Sequence, residues 1–227
     1  MNKHTIEIDG IIVEISRKPI KNLHLRIYPP DGQVKVSAPL RYRLDTIRAQ
    51  IQAKINWIHH QRKQLRAQHP PLSYNTGEQL YFLGKAYTLI NLPQNTRSQV
   101  SVVNDQIHCF ASANATREEK EKLIQNWHRQ EMKSLLPDLI HQWEPILGVQ
   151  VKEWGIKSMK TRWGSCNISA HRIWLNLRLM TKPLACLEYV VIHEMIHLIE
   201  KNHNKRFYTL MDKFLPDWRH RQMLLEQ

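Results

Sequence analysis

Glycine is scarce in this chain, seven in 227 residues, which argues against a loop-dominated or low-complexity protein. Cysteine is scarcer. Cys109, Cys166 and Cys186 are odd in number, far apart and without a CxxC pair, so they read as free thiols in a reducing compartment rather than as a disulfide framework. No stretch reaches the roughly 18 apolar residues of a membrane span, and the segment "MNKHTIEIDGIIVEISRK" places acids among its apolar residues, unlike an export signal. The expectation is a soluble, cytoplasmic protein with no membrane partner. Paired Cys/His finger spacing, a Walker-type glycine-rich loop and a dense carboxylate cluster for magnesium are also missing, which argues against zinc-finger DNA readers and P-loop nucleotide enzymes.

Acid is short as well: 20 Asp/Glu face 33 Lys/Arg, a formal charge of +13. Residues 1–70 carry +8, residues 71–150 carry −1 and residues 151–227 carry +6. Both ends are basic, which suits an anionic partner such as nucleic acid, a nucleotide or an acidic protein, or simply a solvated basic surface. The hydrophobic share of 42% and charged share of 23% are those of an ordinary globular protein. The length allows one large domain or two small ones.

"HTIEIDGIIVEISRK" reads as two strands about Asp9-Gly10, and "HLRIYPPDGQVKVSAP" as two more about Pro29-Pro30-Asp31-Gly32, together a small antiparallel meander. Ile47, Ile51, Ile55 and Ile58 then recur at helical spacing and predict one basic amphipathic helix. Strand character returns in "GEQLYFLGKAYTLINL" and "SQVSVVNDQIHCFAS". Near residue 115 the period changes: Thr116 and Glu119 have capping-box spacing, and the helix they open carries Pro137, a predicted break or kink, and ends at Gly148. The fold class expected is α+β, with a β-rich region over 1–113 and a second domain over 114–227. In that second domain "VKEWGIKSMKTRWGSCNISAHRIWLNLRL" reads as strands, followed by a helix from about Pro183 and a shorter one from Asn204 to Pro216.

The first of these helices carries "VVIHEMIHLIEKNH", Val190 to His203. His193 and His197 are four apart, on one helix face, able to close on a single ion. Glu194 stands where a carboxylate reaches metal-bound water, so the stretch is an HExxH motif with the mechanics of a zinc hydrolase. The uncharged flanks Val190, Val191, Ile192, Met195, Ile196 and Leu198 suit a buried helix. His203 can supply a third ligand from beyond Lys201-Asn202, leaving the open position of a catalytic site. Three alternatives remain open on spacing alone: a catalytic metal, a structural metal closed by Cys166, and histidines that bind nothing. The spacing also matches the metzincin span, but Glu200 occupies the position of its glycine.

The segments "RWGSC" (162–166), "LNLRL" (175–179), "EYVVIHEMIHLIEKNHNKRF" (188–207) and "PDW" (216–218) together resemble the YgjP-like family, related to SprT-type and WLM-type zinc metallopeptidases. Leu177 departs from the aromatic residue often found there. The resemblance implies a zincin-like C-terminal domain, one zinc on His193, His197 and His203, and Glu194 as general base. Imidazole ligands suit other transition metals too.

Around the metal, a hairpin turning on Ser169 would pair Arg162 with Asn176 and Lys160 with Arg178. Lys160, Arg162, Trp174, Asn176 and Arg178 would then share one face. Lys160, Arg162, Trp163, Asn176, Arg178 and Tyr208 are the candidate substrate-binding residues, Gly164 a point of close backbone approach, and Tyr208 or His220 a candidate oxyanion donor. A polypeptide is the first substrate expected, cleaved by metal-activated water. The alternatives are hydrolysis of the phosphoanhydride bond of nucleoside triphosphates, with Lys160, Arg162 and Arg178 as the clamp, and a basic nucleic-acid- or protein-binding module with a structural metal.

Overall fold

Alternating side chains build the first sheet. Its strands are β1 (Lys3–Ile8), β2 (Ile11–Lys18), β3 (His24–Tyr28) and β4 (Gln33–Pro39). Ile11, Val13 and Ile15 of β2 and Val34, Val36 and Ala38 of β4 point to one face, where they are buried with Ile47, Ile51 and Ile58. The computed structural model describes residues 3–28, 32–68, 72–94 and 98–226, so the expected turn residues Pro29, Pro30 and Asp31 lie outside the described residues. The sheet is mixed rather than an antiparallel meander. Its order is β1-β2-β4-β3, and β2 pairs with β4 in parallel, Val13 opposite Val34. Placing the two most apolar strands side by side gives the helices one continuous apolar surface.

Those helices are two rather than one: α1 (Leu44–Gln52) and α2 (Ile55–Gln68). The Lys54 amide bonds the Ile51 carbonyl three residues back at 2.9 Å, a tighter turn that interrupts the ladder while Ile58 still reaches the core.

Contacts divide the chain into two units, Met1–Leu72 and Ser73–Gln227. The change of period had placed the boundary at 113/114 instead. That change is real, because α3 (Arg117–Leu147) starts there, with Thr116 accepting the Glu119 amide and Glu119 returning the bond. However, Ile124 and Trp127 of its first turns bury against Leu80, Leu89, Ile107 and Cys109. These come from the second sheet: β5 (Gln79–Phe82), β6 (Lys85–Pro93), β7 (Gln99–Val103) and β8 (Gln106–Ala111). Sheet and helix share one core and cannot be separated at 114. Its order, β5-β6-β8-β7 with β6 and β8 parallel, repeats the pattern of the first sheet.

Helix α3 runs without interruption through Pro137 to the left-handed cap at Gly148, φ 66°. An interior proline costs about 3 kcal/mol, and burial of Leu136 and Ile140 beside it, in the main core of the unit, offsets that cost. The same core receives β9 (Glu153–Lys157), β10 (Gly164–Asn167) and β11 (Arg172–Asn176), then a 3₁₀ turn Leu177–Thr181, α4 (Leu184–Ile196), α5 (Lys205–Phe214) and α6 (Trp218–Glu226). The third sheet has the order β10-β11-β9, with β9 parallel to β11. Among the described residues β10 is therefore a free edge. The fold is α+β, with six α-helices and three mixed sheets among the described residues. No helix among them is long and apolar enough to cross a membrane.

Candidate metal centre and active-site cleft

Helix α4 is apolar on nearly every side, and Val190, Val191, Ile192, Met195 and Ile196 are buried. A helix so enclosed can point polar groups only into a cavity. His193 and Glu194 do so, and His197 stands at its C-cap. The ladder then tightens: the Leu198 and Ile199 amides bond carbonyls three residues back at 3.0 and 2.9 Å. The chain turns and delivers His203 just before Asn204, whose side chain caps α5 by accepting the Phe207 amide at 3.1 Å.

The ligand atoms of His193, His197 and His203 all lie within 4.8 Å of one another. His193 Nε2 and His203 Nε2 are 2.9 Å apart; two nitrogens bound tetrahedrally to one zinc at 2.0–2.1 Å would stand about 3.4 Å apart. His197 Nδ1 faces the Glu200 carbonyl oxygen at 3.0 Å. A carbonyl only accepts, so Nδ1 donates and Nε2 keeps its lone pair for an ion. Phe207, 1% exposed, packs against all three imidazoles, with ring centroids 4.7–4.9 Å away. Burial pushes His193 down to about 3, helped by the other two rings, and lowers His197 as well. Neutral imidazole is the ligating form, so this donor set fits a transition-metal ion.

Glu194, 6% exposed, lies beside the triad, and burial raises its carboxyl to about 8 against the opposing pull of Arg162. Both residues line a cleft of about 880 Å³ together with the histidines. Gly164 passes so close that a Cβ on it would fall 2.5 Å from Glu194 Oε1 and 2.7 Å from Cγ.

The expected substrate residues separate. Arg162 and Trp163 line the cleft; Lys160, Asn176, Arg178 and Tyr208 do not. The hairpin register explains much of this. Gly164 pairs with Leu175 and Ser165 with Trp174, one residue away from the pairing centred on Ser169, and a one-residue slip exchanges the faces. Residues 158–163 are not strand, and Leu177 to Thr181 form the 3₁₀ turn.

Asn176 is 2% exposed and donates to the Met159 and Arg162 carbonyls at 2.8 and 2.7 Å. Its Oδ1 accepts from the Met159 and Arg178 amides. It holds the 159–162 loop and has nothing left for substrate. The Arg178 guanidinium lies 5.3 Å from the Trp163 ring centre, which supports that side chain from outside the cleft. Tyr208 stacks on His203 and Trp218, and His220 is exposed, away from the cleft.

Cys166 lines the cleft, but its thiol is pushed up to about 11 by burial and Glu194, and it does not join the triad. A site closed by Cys166 is therefore not the one formed.

Sequence reasoning missed Tyr189, one helical turn before His193, whose ring is T-shaped to that imidazole at 5.8 Å. The (i, i+4) spacing was its available signal. It also missed Gln222, Leu225 and Glu226 of α6, which form part of the cleft wall. A network fixes that helix: Arg221 pairs with Glu188 of α4 and with Asp217, and Trp143 of α3 donates to Glu188 at 3.1 Å.

No curated protein matches this chain. A solved structure, the crystal structure of the metallopeptidase zymogen of Pyrococcus abyssi abylysin, is 24% identical over 36% of this chain and 81% of that chain, with a TM-score of 0.34. The YgjP-like metallopeptidase domain matches residues 21–227, so the chain belongs to the YgjP-like family of metallopeptidases.

Proposed function

We propose that this protein is a zinc-dependent peptidase with His193, His197 and His203 as ligands, Glu194 as general base and a zincin-like C-terminal unit. The observation that carries the reading is the convergence of three imidazoles within 4.8 Å beside a buried carboxylate facing a cleft. Zinc held there supplies Lewis acidity and brings the pKa of a water down to about 7. Glu194 accepts the water proton and returns it to the departing amine. Burial, which raises its affinity for a proton, makes it a competent carrier in both steps.

The free edge of β10 lines the same cleft through Gly164, Ser165 and Cys166. An extended polypeptide laid along it gains main-chain hydrogen bonds without needing a particular sequence. Arg162 and Trp163 flank that edge and contact the chain, and the Tyr189 phenol, which burial pushes up to about 12 and so keeps protonated, donates to the developing oxyanion. The triphosphate reading loses its basis, because of Lys160, Arg162 and Arg178 only Arg162 reaches the cleft.

The test is metal content beside turnover of an unfolded protein substrate. Glu194→Gln retains about one zinc per chain and loses at least ~10³-fold in kcat, whereas His197→Ala loses zinc and activity together. A Glu194→Gln protein that still cleaves substrate sinks the mechanism, and a different bound metal replaces zinc in it.

A further inference from the structure

The helices of the first unit cover one face of its sheet, through Val34 and Val36 of β4. Side chains alternate along a strand, so Lys35 and Ser37 point to the opposite face. The pairing register places Arg26 directly opposite Lys35, and His24 opposite Ser37. With Lys18 and Tyr28 these residues line a depression of about 220 Å³.

Two like charges directly opposite across antiparallel strands destabilise a sheet. Lys35 has a partial answer in Glu14, 3.1 Å away. Among the described residues, Lys18, His24 and Arg26 have no carboxylate partner. This cluster lies in the segment of the chain that carries +8. The depression combines a guanidinium, ammonium groups, hydroxyls of Ser37 and Tyr28, and an aromatic ring. An anion that repeats along an extended chain answers all three strands at once, and a base can lie against the ring.

We propose that this open sheet face binds single-stranded nucleic acid, with backbone phosphates over Lys18, Arg26 and Lys35 and a base against Tyr28. The site is independent of the metal centre, and its chemistry is charge and stacking, with little sequence preference.

The test is fluorescence anisotropy of a short labelled oligothymidylate with the full chain across a salt series. Three engaged phosphates predict a slope of log K against log salt of about −2, at about −0.7 per phosphate. Arg26→Glu puts an acid opposite Lys35, so it weakens binding at least ~10-fold without lowering Tm, because a repulsive cross-strand pair becomes an attractive one. Lys18→Gln makes the slope less steep by about 0.7, with zinc content and peptide cleavage unchanged. Absence of binding at low salt, affinity that both variants leave unaltered, or polyglutamate binding as tightly as the oligonucleotide overturns the proposal.

Discussion

Gly164 and Glu194 stand so close that a side chain on the first would occupy the space of the second: a Cβ would fall 2.5, 2.7 and 2.9 Å from Oε1, Cγ and Cδ of the glutamate. The edge strand β10 and helix α4 are thus fitted to each other through a residue with no side chain, and the carboxylate is held between them. Three atoms conflict, so rotating the carboxylate alone does not relieve the clash.

Gly164→Ala is therefore expected to displace the Glu194 carboxylate while leaving the imidazoles in place. The predicted result is full metal content with kcat lowered at least ~10-fold. Elemental analysis beside steady-state kinetics checks it, and unchanged kcat would mean the carboxylate's position is immaterial.

Two tyrosines lie near the triad, but only Tyr189 lines the cleft. Tyr189→Phe keeps the ring and removes the donor, so kcat should fall about 10²-fold, the usual loss for an oxyanion donor. Tyr208→Phe should change it less than about twofold. Equal effects of the two substitutions would remove Tyr189 from the mechanism.

Asn176 satisfies two carbonyls and one amide of the turn that carries Arg162, and the Arg178 amide of the 3₁₀ turn. Asn176→Ala strands buried polar groups, each worth about 1–3 kcal/mol, and a total loss of about 3 kcal/mol is expected from the urea midpoint. A loosened Arg162-Trp163 segment should raise KM more than it lowers kcat.

His128 is 7% exposed, packs against Phe82 and Trp127 with ring centroids 5.9 and 4.9 Å away, and its Nε2 has no hydrogen-bond partner among the described residues. Burial depresses it from 6.5 to about 4. Protonation therefore favours the unfolded chain. The stability of the neutral ring is complete above pH 6.5 and is lost as pH falls toward about 4, on the order of 3 kcal/mol in all. In His128→Phe the loss of Tm over that window should be smaller than in the parent protein, both carrying the same histidine triad. Parallel pH curves would contradict it.

The convergence of the three histidines was legible because its information is local. His193 and His197 are one helical turn apart, so helical periodicity alone makes them neighbours, and His203 follows within six residues, after a short turn. The capping box at Thr116 and Glu119 and the cap at Gly148 were legible for the same reason. Most of the cleft wall was not. "SCNISAHRI" alternates too weakly to set a hairpin register, and a shift of one residue moved Asn176 from an expected substrate face into the interior.

What the sequence by itself determined was short-range: which residue types stand a turn apart, where helices begin and end, and which histidines can share an ion. Only the tertiary structure decided the parallel pairing of β2 with β4, the like-charged pair Arg26 and Lys35, the return of α6 to the cleft and the seat of Glu194 against Gly164. Helical neighbours are set by bonds a few residues long. Strand partners and cavity walls are chosen by which distant apolar faces bury each other best, and no local spacing records that choice.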